Sequence, residues 1–180
     1  RGAKGDLIFR WGNPETYSDD LHPTFNRKDK KSFWQHDVQW LNDDSKPHTG
    51  DILFINNGAM RGVDGLPNPN EKRMGFGTGY TQVMELSLPS NEEGTYDWDG
   101  EVVTTWSYKG DPPQEMFAPF MSGVDRTPSG NTVFAFGHNK RIIEVTPEGE
   151  VVADFRPPGP GNLFRVRRYG FDYPGLSNLK

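Results

Sequence analysis

The chain contains no cysteine. That excludes a disulfide framework and all thiolate chemistry. It also has no apolar run near the roughly 20 residues that a membrane-spanning helix needs, and no signal-peptide pattern. A basic excess is missing as well: 20 Lys and Arg stand against 25 Asp and Glu, for a formal net charge of −5. A general nucleic-acid binder needs a basic face to meet phosphates, so no nucleic-acid partner is expected. No stretch shows convincing helical spacing of apolar residues.

Turn formers and aromatics are abundant. Glycine (21) and proline (15) make up a fifth of the 180 residues, and aromatics reach 13 %. Disordered chains lack aromatics, so this balance predicts many short strands joined by turns. The most informative stretch is Phe33-Trp34-Gln35-His36-Asp37-Val38-Gln39-Trp40-Leu41, followed by Asp51-Ile52-Leu53-Phe54-Ile55-Asn56-Asn57-Gly58. The first part alternates roughly, as a half-buried strand does. The second is a continuous apolar run stopped by the turn signal Asn-Asn-Gly.

The chain repeats itself. Gly50-Asp51-Ile52-Leu53-Phe54-Ile55 matches Gly130-Asn131-Thr132-Val133-Phe134-Ala135, and Thr81-Gln82-Val83-Met84-Glu85-Leu86 matches Lys140-Arg141-Ile142-Ile143-Glu144-Val145. Asp37-Val38-Gln39-Trp40-Leu41 matches Gly123-Val124-Asp125-Arg126-Thr127. Gly5-Asp6-Leu7-Ile8-Phe9-Arg10-Trp11 shares a pattern with Gly100–Trp106 and Gly149–Phe155. The chain therefore reads as all-β, with one four-stranded unit over 33–108, interrupted by insertions at 61–79 and 89–99, and a compact one over 120–155. Residues 1–11 read as the last strand of a preceding unit, and 162–170 as the first strand of a following one. Four antiparallel strands in about 40 residues is the pattern of a β-propeller blade. Two full and two partial blades cannot close a ring of four to eight. The expectation is a mature or truncated piece of a single propeller domain spanning 1–180, completed by residues before the first or by another chain.

Several of these stretches, in order, resemble the bacterial arylsulfotransferase (aryl-sulfate sulfotransferase) family of six-bladed propellers. They are Gly5-Asp6-Leu7-Ile8-Phe9-Arg10-Trp11-Gly12-Asn13-Pro14, Gln35-His36-Asp37-Val38-Gln39-Trp40, Asn56-Asn57-Gly58 with Arg61, Pro128-Ser129-Gly130-Asn131-Thr132, Glu144–Val152, and Phe164-Arg165 with Tyr169. The resemblance implies the C-terminal part of a periplasmic or secreted bacterial protein. Such a protein moves a sulfuryl group from a phenolic sulfate ester to a phenol through a histidine, without a nucleotide donor. It implies catalytic roles for His36 of the Gln-His motif and Arg61 of the Asn-Gly-x-x-Arg motif. The family's sulfated histidine comes from a later blade, where the nearest candidate is His138.

These residue types suit that chemistry. A guanidinium offers a planar fork of donors to an oxyanion, and an imidazole serves as nucleophile or as acid and base. First strands of blades line the central channel. The positions equivalent to His36 are then Ser122 and the region of Phe164 and Arg165, so Asn57, Ser122 and Arg165 are the candidate substrate-binding residues. Alternation puts Asp37 on the face opposite His36. Each candidate has a plainer role: a structural histidine, a loop arginine on carbonyls, a turn-capping serine, an arginine paired with an acid. His22 and His48 read as loop residues. Trp11, Trp40, Trp106 and Phe155 read as packing between blades. No metal site and no cofactor are expected, with calcium on Asp19-Asp20, Asp43-Asp44 or around Asp97 and Asp99 the one alternative. The competing function is an inactive propeller that binds a protein or glycan through its insertions.

Overall fold

The computed structural model describes residues 7–13, 30–42, 50–61, 79–91, 93 and 95–178. Eight strands build two antiparallel sheets. β1 (Gln35–Trp40), β2 (Ile52–Asn56), β3 (Gln82–Ser87) and β4 (Val103–Tyr108) form the first. β5 (Gly123–Arg126), β6 (Thr132–Phe136), β7 (Arg141–Val145) and β8 (Val151–Phe155) form the second. Each sheet is an up-and-down meander in chain order. Among the described residues the only helical pieces are the short 3₁₀ turns Pro113–Met116 and Pro174–Leu176.

The two sheets share details finer than strand order. Each has a register shift in the pairing of its last two strands, immediately after Glu85 in one and Glu144 in the other. Both turns before the second strand close the same way. Leu41 N–H donates to Asp51 O at 2.8 Å, and Thr127 N–H donates to Asn131 O at 2.9 Å. Gly50 and Gly130 take positive φ of 102° and 93° there, a conformation that favours glycine.

The apolar runs explain the packing. Side chains alternate across a strand, so Leu53 and Ile55 of β2, with Val83 of β3, face the second sheet and meet Phe134, Phe136 and Ile143. Phe54, Met84 and Leu86 face the other way and form a separate cluster with Trp11 and Ile52. β6 is buried along its whole length. Trp106 lies between the sheets, stacked on Tyr108 and donating its indole N–H to Pro147 O at 2.8 Å. Trp40 and Phe155, by contrast, are exposed.

Polar links also join the sheets. Glu85 on β3 pairs with Arg126 on β5, both buried. The equivalent Glu144 on β7 pairs with Arg168, in the segment after β8, at 2.5 Å.

The two outer segments depart from the sequence pattern. Residues 7–11 and 162–170 form no strand. Among the described residues neither finds a parallel or antiparallel neighbour, and an extended segment without a ladder partner is not a strand. Residues 1–6 lie outside the described part. The 162–170 segment is nonetheless fixed in place: Leu163 N–H donates to Gly137 O at 2.9 Å, and Arg168 N–H to Asp125 Oδ2 at 2.9 Å.

Candidate functional site

The pairing of His36 with Ile55 across β1 and β2 puts the imidazole on the face that meets the second sheet. Asn57, two residues beyond Ile55, extends the same face. His36 Nδ1 lies 2.7 Å from Asn57 Oδ1 and 3.2 Å from Trp34 O. The orientation of Asn57 is settled by its own contacts: its amide Nδ2 donates to Ala118 O at 2.7 Å and Met121 O at 2.9 Å. Oδ1 is therefore the acceptor facing the ring. Both groups facing Nδ1 are oxygens that can only accept, so Nδ1 carries the proton. In the neutral ring the lone pair is then on Nε2, for which no hydrogen-bond partner is found among the described residues.

Asn57 is held hard in place. It is fully buried, and its carbonyl accepts from Thr81 Oγ1 at 2.9 Å. The same Thr81 hydroxyl accepts from Ala118 N–H at 2.8 Å, which pins the segment between the sheets. Ser122 joins the network as an acceptor, from Asn57 Nδ2 at 3.3 Å and from Gly137 N–H at 3.1 Å. His36, Asn57 and Ser122 thus form one hydrogen-bonded chain across both sheets. Left-handed backbone gathers around it: Trp34, Asp37, Met121 and Ser122 all have φ between 52° and 86°. Such residues cost of order 1–3 kcal/mol each and cluster at functional sites.

Asp37 does not serve His36. Simple alternation does not describe its position, because a register shift between His36 and Gln39 inserts an extra residue into β1. The carboxylate turns toward the second sheet and is spent there. Arg167 grips it with two hydrogen bonds of 2.8 Å, Val124 N–H donates to it at 3.0 Å, and Arg165 Nε approaches to 3.2 Å. Burial alone would raise the Asp37 pKa. The Arg167 hydrogen bonds, the Val124 amide and the two guanidinium charges outweigh that and hold it below the usual 3.8. A carboxyl with a lowered folded pKa stabilises fully above its unfolded value, and the contribution disappears as pH falls through the folded one. Docking of residues 163–168 is therefore expected to be intact at neutral pH and to loosen below about pH 3.8. Amide exchange of that segment checks this, and Asp37→Asn should remove the pH step.

Arg61 follows the turn that Asn56, Asn57 and Gly58 make. Gly58 is required there: its φ is +79°, and a Cβ would sit 1.8 Å from Tyr80 O. Only 3 % of Arg61 is exposed. Its guanidinium lies between two rings, 4.9 Å from the Phe33 centroid and 4.4 Å from that of Tyr80. Nη1 reaches Gln82 Oε1 at 3.4 Å, and Nε is buried without a partner. Burial lowers the Arg61 pKa, and Tyr80 opposes the shift. Among the described residues no carboxylate pairs with it, and no hydrogen bond joins it to His36.

The remaining candidates are dispersed. Arg165 is half exposed and rests on Asp37. His138 sits one residue beyond Gly137, half-buried rather than exposed, with its ring 5.9 Å from that of Phe120. Burial pulls its pKa below 6.5, toward the neutral form. His22 and His48, and the pairs Asp19-Asp20 and Asp43-Asp44, lie outside the described residues. Among the described residues no three His, Asp or Glu side chains converge as a metal site. No helix there is long and apolar enough to cross a membrane.

Sequence reasoning missed the partners of the central residues. Phe33 and Tyr80, which enclose Arg61, and Thr81, which fixes Asn57, carry no motif; only their position at the same strand ends points to them. Comparison of the chain with protein-family models, curated proteins and solved structures gives no match.

Proposed function

We propose that the chain is part of an arylsulfotransferase-like β-propeller that moves a sulfuryl group from a phenolic sulfate ester to a phenol. Support for the propeller comes from two consecutive meanders with the same strand order, matching register shifts and matching turns. A Glu–Arg pair also leads from each unit to the next segment. The observation that carries the activity is the fixed ring of His36, whose Nδ1–H is tied to Asn57 while Nε2 is left to react. The sulfuryl acceptor is then His36, moved from the later-blade position near His138 that the resemblance implies: in the first half-reaction its Nε2 lone pair attacks sulfur, the bond from sulfur to the aryl oxygen breaks, and the phenolate leaves. In the second, the acceptor phenol gives its proton to solvent water as its oxygen attacks sulfur, the S–N bond breaks and the imidazole is regenerated. Arg61 is the cation for the sulfate oxygens, since its charge is desolvated and, among the described residues, lacks a carboxylate.

Incubation of the full-length protein with p-nitrophenyl sulfate and phenol tests this. Phenol-dependent release of p-nitrophenolate is expected. Arg61→Lys should raise KM, because an ammonium keeps the charge and loses both the planar fork and the ring stacking. Absence of release, or release unchanged in His36→Ala, rules the reading out. A second reading follows from the place of Arg61: enclosed by Phe33 and Tyr80 and bonded to Gln82, it is a structural cation closed off from substrate. The chain would then be an inactive binding module, and p-nitrophenyl sulfate would neither turn over nor depend on Arg61.

A further inference from the structure

Where three inner segments meet, one guanidinium keeps free donors. Gly123 opens β5 and packs against residue 165: a Cβ added there would sit 2.8 Å from the Arg165 Cα and 2.9 Å from Asp37 Oδ2. The missing side chain is what lets the 162–170 segment close on β5 beside Asp37. Asp37 follows His36 in β1. Ser122, which precedes Gly123, is bonded to Asn57, the partner of His36. Arg165 therefore stands at the same end of the same inner segments as the imidazole.

Arg165 and Arg167 use Asp37 differently. Arg167 already takes both of its oxygens, each at 2.8 Å, so the carboxylate needs no second cation. Arg165 approaches it only through Nε, at 3.2 Å, and its side chain is 52 % exposed. That contact fixes the plane of the guanidinium and leaves Nη1 and Nη2 without an acceptor among the described residues. Asp125, the other acid nearby, acts on Arg167 and accepts from the Arg168 amide. In a ring of blades the flat faces are covered by neighbours, whereas the inner segments border the channel, so a further blade does not close off this fork.

In the proposed transfer the leaving and the entering aryl oxygens occupy the same side of sulfur, opposite Nε2, so one ring site serves donor and acceptor. Two N–H donors in a plane match the two oxygens of a carboxylate. A lone fork with Asp37 behind it suits one negative charge better than two. We propose that Arg165 is a specificity residue of this site and that the acceptor is a phenol bearing a carboxylate, which the Nη pair holds while the phenol oxygen meets sulfur. This inference rests on the sulfuryl-transfer reading.

The full-length protein is assayed with p-nitrophenyl sulfate as donor and with 4-hydroxybenzoate or its neutral analogue 4-hydroxybenzamide as acceptor. KM for the acid is expected about tenfold below that for the amide, the scale of one charge-assisted pair at a half-exposed site. The ratio should fall to about one in Arg165→Gln, and Arg165→Lys, which keeps the charge and loses the fork, should lie between. Arg167 and the Val124 amide still hold Asp37 in both variants, so the segment stays docked. Calorimetric titration of 4-hydroxybenzoate without donor reads the same contact apart from turnover, with about tenfold weaker binding expected in Arg165→Gln. The proposal is overturned if acid and amide have equal KM, if their ratio is the same in parent and Arg165→Gln, or if 4-hydroxybenzoate binds both proteins alike. Binding that depends on Arg165 without p-nitrophenolate release to any acceptor would instead reject the transfer reading and keep the carboxylate site.

Discussion

Replacing His36 with alanine is expected to bring sulfuryl transfer down to the uncatalysed background while the chain stays folded. The ring is half-buried at the rim of the sheet interface and outside the apolar core. Its loss should cost no more than about 1 kcal/mol, within the ordinary range for a substitution that opens no core cavity. The chemistry has no such tolerance, because the bond to sulfur forms at Nε2. Added imidazole should restore part of the turnover in His36→Ala, which a merely structural histidine would not allow. Asn57→Ala separates orientation from reaction. The ring would keep the weaker bond to Trp34 O and lose the 2.7 Å bond that fixes its tautomer. A fall in kcat of roughly 10²-fold, the cost of a reacting group misplaced by about 1 Å, is expected, with KM little changed. Equal losses in kcat and thermal stability for both variants would mean that the network only supports the fold.

Much of this arrangement is visible in the sequence because it rests on local, periodic signals. The strand pattern and turn glycines marked both meanders, while the register shifts that follow the matched Glu85 and Glu144 show only in the strand pairing. Long-range pairing was less accessible. His36 and Asn57 sit on neighbouring strands, so the Gln-His and Asn-Asn-Gly motifs brought them to one strand end. The inserted residue in β1 breaks alternation and sends Asp37 toward Arg167, 130 positions away. No periodicity announces that. Arg61 illustrates the same limit: its residue type predicts an anion site, while its burial between Phe33 and Tyr80 depends on the turn that Gly58 permits. The outer segments at 7–11 and 162–170 carry strand-like composition, but a strand is defined by its neighbour, and among the described residues they have none.

Glu85→Leu is expected to be the most destabilising of the substitutions considered, at about 3–5 kcal/mol. Both side chains of the Glu85–Arg126 pair are nearly inaccessible to water, 0 % and 2 % exposed. Burial lowers the Arg126 pKa, and Glu85 opposes the shift. The guanidinium also stacks over Trp106 at 5.1 Å, and Thr105 donates to Glu85 Oε1 at 3.3 Å. Removing the carboxylate strands a desolvated cation between the sheets, and the cost is that of an uncompensated buried charge rather than of one lost bond. The double replacement Glu85→Leu with Arg126→Met removes both charges and keeps apolar volume, so most of the stability should return. The equivalent pair provides the control. Arg168 is 57 % exposed, and Glu144 keeps a hydrogen bond of 2.9 Å from Asn131 when it is gone. Arg168→Ala should therefore cost about 1 kcal/mol or less, as exposed ion pairs do. Urea unfolding of the four proteins measures all of this in one series. Equal losses for Glu85→Leu and Arg168→Ala, or a double variant no more stable than Glu85→Leu, would show that the pair is not buried between the sheets in solution.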